Sequence, residues 1–221
     1  MLKNRRFQFV VVLLIFVLNS GAEEPNVLKT LDEVIPVKTS GGFLFWGDVL
    51  FDDSWRIQEN IKIHSFRLLD GNFVQRSFGT FEECQNRLNE IKIEKGILPM
   101  SGTAVIILHG FGSNVLALQH FGDYLREKKS HDYVFCMSYP STMQPILEHA
   151  RMLRRVVEHL PATIRRIDFV GHSLGSIVIR RYLSGPLDDN WTIPDNPAEY
   201  RKTFSPDKRI GRFVMIGPPN H

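Results

Sequence analysis

The stretch FVGHSLGSIV, Phe169 to Val178, sets a serine between two glycines just after an apolar run and just before a helix-forming segment. Ile167 to Val170 reads as a buried strand and Leu174 to Leu183 as a helix, so Ser173 falls on the sharp turn between them. A turn of that kind lifts the serine hydroxyl above the end of a sheet and holds the residue in strained backbone geometry. Its close neighbours must then be small, which accounts for Gly171 and Gly175 two residues to either side. The helix starting at Leu174 aims its amide-rich end at the serine and favours developing negative charge there. Ser173 is therefore the candidate nucleophile. A second segment, LHGFGS from Leu108 to Ser113, directly follows another apolar strand. The N–H groups of Phe111 and Leu174 are the candidate oxyanion pair. His109, Gly110 and His172 read as residues that support these two turns.

Outward from this point the pattern is regular. TAVIILHG from Thr103 is a continuous apolar run closed by glycine, the mark of a strand buried on both faces. Val115, Leu118, Phe121 and Leu125 then recur at helical spacing. DYVFCMSYP is a second strand, followed by a helix with Ile146, Ala150, Leu153, Val157 and Leu160 on one face. RRIDFVG is the third strand and RIGRFVMIG the fourth. Strands alternating with helices over short connections predict an α/β fold with a mostly parallel, doubly wound sheet over 103–221. Gly185 to Lys208, with four prolines and Trp191, interrupts the rhythm as a surface loop, or alternatively a cover over the site.

Upstream, 43–98 is predicted as a smaller antiparallel hairpin-plus-helix appendage. Asp70-Gly71 between two apolar stretches marks its hairpin. Thr80 followed by Glu83 forms a capping box, after which Cys84, Leu88 and Ile91 share one helical face. Residues 23–42 read as linker. Lys3, Arg5 and Arg6, the apolar run Phe9 to Leu18 and the small residues Ser20-Gly21-Ala22 read as a cleaved signal peptide over 1–22. This predicts an exported protein, periplasmic or secreted, with an uncleaved N-terminal membrane anchor as the alternative.

The 221 residues suit one main core, and 43% hydrophobic with 23% charged residues excludes disordered and fibrous classes. A net charge of +3 gives no basic stripe for nucleic acid. The arginine pairs 154–155, 165–166 and 180–181 read as solvated helix faces. Cys84 and Cys136 read as two buried thiols, although an exported protein could bridge them. His64, His120, His131, His149 and His159 read as surface or helix-face residues without metal spacing. No metal or organic cofactor is implied, and no defined protein partner.

Taken in order, VIILHGFGS, SYPST, EHARMLRRVVEHL, IDFVGHSLGSIVIRRYL and IGRFVMIGPPNH resemble the α/β-hydrolase superfamily, and within it lipase- and esterase-like members, over roughly 103–221. Ser176 departs from the glycine that many relatives carry there. The resemblance implies a hydrolase acting on ester or lipid substrates through a covalent acyl-enzyme, and leaves association with a membrane surface open. Acyl transfer or thioester hydrolysis on the same turn is an alternative. So is a catalytically inactive binding protein. The family order is serine, acid, then histidine, the last two normally beyond a fourth strand. The sequence stops inside GPPNH at His221, so the core is expected to be incomplete, the 221 residues inactive alone and Arg209 to Gly217 an open sheet edge. A compressed triad of Ser173, one of Asp188, Asp189, Asp195 or Asp207, and His221 is formally available.

Overall fold

A computed structural model describes residues 37–42, 44–188 and 207–219. The expected signal segment, most of the linker, Trp191 and His221 lie outside the described residues. Two four-stranded sheets carry the mixed α/β architecture. The first is antiparallel in the order β1-β2-β3-β4, from Trp46–Asp52, Trp55–Asn60, Phe66–Leu69 and Gln75–Gly79. The helix α1, Phe81–Lys95, packs on it, so the segment is a full sheet rather than the single hairpin expected.

Local chemistry explains these elements. Thr80 Oγ1 accepts the Glu83 N–H at 3.2 Å while Glu83 Oε2 accepts the Thr80 N–H at 2.8 Å, the reciprocal pair that satisfies a helix start. Cys84, Leu88 and Ile91 then bury against Val49, Leu50, Trp55, Ile57 and Leu68. The β3–β4 connection is organised by the Asp70 side chain, which accepts the Asn72 and Val74 N–H groups at 2.9 and 3.0 Å. Phe73, not Gly71, takes the positive φ in that turn. The β1–β2 turn is the two-residue pair Asp53-Ser54, with Asp53 at φ 54°. Without a glycine it carries little turn signal.

The second sheet is wholly parallel, in the order β6-β5-β7-β8. These strands are β5 Gly102–Leu108, β6 Tyr133–Met137, β7 Ile164–His172 and β8 Ile210–Ile216. Helices α3, Ile146–His159, and α4, Leu174–Leu183, cover one face through Leu153, Val156, Val178 and Ile179 against Ala104, Ile106, Ile167 and Phe169. A 3-10 turn, Val115–Leu118, and α2, Gln119–Glu127, cover the other face against Val105, Ile107, Val134 and Val170. Alternate residues of each strand thus serve opposite layers. Arg165 and Arg166 lie on β7, not on a helix face. Among the described residues β8 is an edge of this sheet, with Val214, Met215 and Ile216 exposed, and no helix is long and apolar enough to cross a membrane.

The two sheets meet where β1 passes the end of β6. Asp48, fully buried, accepts the Ser138 N–H at 2.6 Å and the Arg56 Nη1–H at 3.1 Å on Oδ2, and the Gln58 Nε2–H at 2.7 Å on Oδ1. Its own N–H donates to Ser138 C=O at 2.9 Å. Arg56 also reaches Cys136 C=O at 3.2 Å, and Arg67 donates to Gln58 Oε1 while lying 4.0 Å from the centre of the Trp46 ring. Burial pushes the Asp48 carboxyl up, while Arg56, the Ser138 amide, Gln58 and Arg67 pull it down. Truncating the carboxylate strands Arg56 in the interior, and removing one member of a buried ion pair costs about 3–5 kcal/mol. Asp48→Ala is expected to lower the urea midpoint of unfolding by that equivalent; a change below about 1 kcal/mol would show that the junction does not depend on this charge.

Candidate active site

Register brings the two turns noted in the sequence together. Leu108 pairs with Gly171 across β5 and β7, and His172 pairs with Ile216 across β7 and β8. The segments that leave β5 and β7 therefore emerge side by side at the carboxyl ends of the strands, the edge at which open α/β sheets bind ligands. Ser173 sits at φ 51°, ψ −119°, a conformation that favours glycine. Its N–H is tied to Ile216 C=O at 2.9 Å, and its own C=O accepts the Ser176 N–H at 3.0 Å. Among the described residues no hydrogen bond is made by the amides of Phe111 and Leu174.

Close packing explains the flanking glycines. A Cβ on Gly171 would come within 2.6 Å of the Ser176 backbone. One on Gly175 would come within 2.5 Å of Leu108 C=O and 2.7 Å of His109 C=O. Both are backbone collisions that no rotamer relieves. A Cβ on Gly110 would meet Ser173 Cβ at 3.2 Å and His172 Nδ1 at 3.1 Å, so the Leu108–Ser113 loop lies directly against the serine. Ser176 fills the space a glycine would leave: it is buried, and its Oγ donates to Gly171 C=O at 2.7 Å.

The loop carrying Phe111 rests on a buried aromatic cluster. His109, 1% exposed, places Nδ1 at 2.8 Å from Gly110 C=O and stacks on Tyr139 at 4.3 Å between ring centres. Tyr139 O–H donates to His109 C=O, and the ring meets His149 edge-on at 4.9 Å. Burial lowers the His109 pKa, against the pull of the Gly110 and Tyr139 backbones. Of the two readings open for His149, surface or helix face, the structure shows a buried helix-face residue: it is 1% exposed, and neither ring nitrogen makes a well-formed hydrogen bond among the described residues. Burial drives its pKa down to about 4, opposed by the nearby Gln144 backbone. Phe111 itself is 70% exposed, and Leu116, Met143 and Ile146, in the segments that follow β5 and β6, are exposed in part.

The acid and base are less complete. Asp207 precedes β8 at the end of the sheet away from Ser173, where it binds Arg209, whose guanidinium reaches Val157, Leu160 and Pro161 C=O. That placement removes it from the compressed triad. Asp188 is the last residue described before position 207, and Asp189, Asp195 and His221 lie outside the described residues. The His131–Asp168 pair, at 3.2 Å, also contacts Arg166 and the Arg212 N–H. Asp168 stands five residues before Ser173, roughly 16 Å back along the strand, so this pair does not serve the serine. Cys84 and Cys136 are buried free thiols, and among the described residues no cluster of three or more His, Cys, Asp and Glu could hold a metal.

The fold and the turn thus define an α/β protein with a strained serine at a strand–helix junction. No protein-family model matches the chain, and no curated protein matches it.

Two measurements follow. A non-glycine residue in such a conformation costs about 1–3 kcal/mol, so Ser173→Gly is expected to raise unfolding stability by about 1 kcal/mol, whereas Ser173→Ala, which keeps a Cβ, is not. Equal stability of the two variants in urea would show that the turn is unstrained. His149 contributes stability that is present above its ordinary pKa of 6.5 and lost as the pH falls toward about 4, because the unfolded chain takes up the proton first. Between pH 7 and 4.5 its share of the loss is on the order of 2 kcal/mol. His149→Phe should flatten the pH profile over that window, and an unchanged profile would refute the assignment.

Proposed function

We propose that the protein is a serine hydrolase of the α/β-hydrolase type acting on carboxylic esters, lipase- or carboxylesterase-like. The observation that carries this reading is Ser173 at φ 51°, ψ −119° on the strand–helix turn, with Gly110 of the neighbouring loop packed against it. In this reading Ser173 Oγ attacks the ester carbonyl, the oxyanion is held by the Phe111 and Leu174 N–H groups, and the alcohol departs to leave an acyl-serine that water hydrolyses. A histidine would take the serine proton and return it to the leaving alkoxide, with a carboxylate holding its tautomer. The exposed Phe111, Leu116, Met143 and Ile146 suit an apolar acyl chain, or a lipid surface that presents one. Export through residues 1–22 belongs to the same proposal.

A second reading, a ligand-binding protein built on the same turn, is favoured by one observation: the histidine–carboxylate pairs among the described residues, His64–Glu59 and His131–Asp168, both lie away from Ser173. Reaction of the purified protein with a fluorescent fluorophosphonate separates the two, since the probe phosphonylates a serine whose hydroxyl is activated by a base. For the protein assayed with its histidine and carboxylate in place, the hydrolase reading expects labelling that disappears in Ser173→Ala. A folded protein that takes no label supports the binding reading and overturns the hydrolase.

A further inference from the structure

Resting on the hydrolase reading, the geometry points to Tyr139 and Ser141 as positioning residues that aim the Phe111 N–H at the oxyanion. The segment that leaves β6 holds the oxyanion loop at two points. Tyr139 O–H donates to His109 C=O, and Ser141 Oγ accepts the Gly112 N–H at 3.1 Å. These two groups belong to the first and third of three consecutive peptide planes, 109–110 and 111–112. The plane between them joins Gly110 C=O to the Phe111 N–H.

The middle plane is also oriented from behind. Gly110 C=O accepts the Ser113 N–H at 3.3 Å and lies 2.8 Å from His109 Nδ1, a hydrogen bond that requires the tautomer protonated there. No peptide bond in the described chain is cis. In a trans peptide the C=O and N–H point in opposite directions. With the carbonyl turned toward His109 and Ser113, the Phe111 N–H faces the other way, free of any partner among the described residues. Gly112, at φ 65°, turns the third plane toward Ser141. Both clamp residues are buried, and Ser138, at the head of the same segment, is fixed to Asp48 at 2.6 Å. A preorganised donor costs nothing to reorient as charge develops, which is where an oxyanion hole derives its effect. Without the Ser141 hydroxyl the third plane can rotate, and the Phe111 N–H loses its fixed direction.

The test compares Ser141→Ala, Ser141→Thr and Tyr139→Phe with the parent protein by two readouts. The first is the rate constant for fluorophosphonate labelling of Ser173, whose phosphoryl oxygen occupies the same hole. The second is hydrogen exchange of the Gly112 amide. Ser141→Ala is expected to label about ten-fold more slowly, a fraction of the loss seen when a donor is removed outright, and to exchange Gly112 faster at an unchanged melting temperature. Ser141→Thr, which keeps the hydroxyl, should restore both values, and Tyr139→Phe should slow labelling without freeing Gly112. Parent-like labelling of Ser141→Ala would overturn the positioning role while leaving the hydrolase intact. Absence of labelling in a parent that holds its histidine and carboxylate would overturn the hydrolase reading and this inference with it.

Discussion

A single buried carboxylate connects the two halves of this molecule. Asp48 belongs to the antiparallel sheet, yet it accepts the amide of Ser138 at the exit of β6, and its own amide returns the bond. A carboxylate taken out of water is stable only with its lone pairs filled. Here Arg56 and Gln58 of β2 and Ser138 at the exit of β6 fill them. Arg56 is itself sandwiched between the rings of Phe51 and Phe73, and Phe51 stacks on Phe135 of β6 at 4.6 Å. The β6 exit therefore cannot move without breaking the first sheet's interior, and the Leu108–Ser113 loop that Tyr139 and Ser141 hold inherits that rigidity.

A second constraint acts at Ser173. The helix that follows the serine crosses β5 so closely that Gly175 touches the carbonyls of Leu108 and His109. This approach leaves the chain too little room for a relaxed turn, so the strain is absorbed at Ser173. Strained residues of this kind persist only where the surroundings overdetermine them. The bond from Ser173 N–H to Ile216 C=O and the Ser176 bond to Gly171 C=O are two of the ties that do so.

The sequence was most informative where one local rule governs one local outcome. Continuous apolar runs marked β5, β6, β7 and β8, the Thr80–Glu83 pair marked the start of α1, and glycines flanking a serine marked the tight turn. It was silent where the outcome depends on distant partners. Asp48, Gln58 and Arg67 look like solvent-facing strand residues until the second sheet covers them. The β1–β2 turn went unnoticed because Asp53 adopts a positive φ without a glycine to announce it. His149 shares the stripe of Ile146, Leu153 and Val156, yet a polar side chain on an apolar face leaves surface and helix face equally open until the neighbouring layer is known. Tyr139 and Ser141 stood in a motif with no role attached, because their partners are thirty residues upstream for Tyr139 and twenty-nine for Ser141.

The two thiols have a use that their chemistry alone would not suggest. Cys84 lies on α1 against the antiparallel sheet, with its pKa pushed up to about 12 chiefly by burial, and Cys136 lies under α2 on the parallel sheet, also shifted upward by burial. Burial disfavours the thiolate at both positions, so opening of the surrounding layer speeds the reaction of each. The molecule thus carries two separate internal clocks, one for each sheet. The difference between their alkylation rates measures how far the two cores breathe together through the carboxylate that joins them.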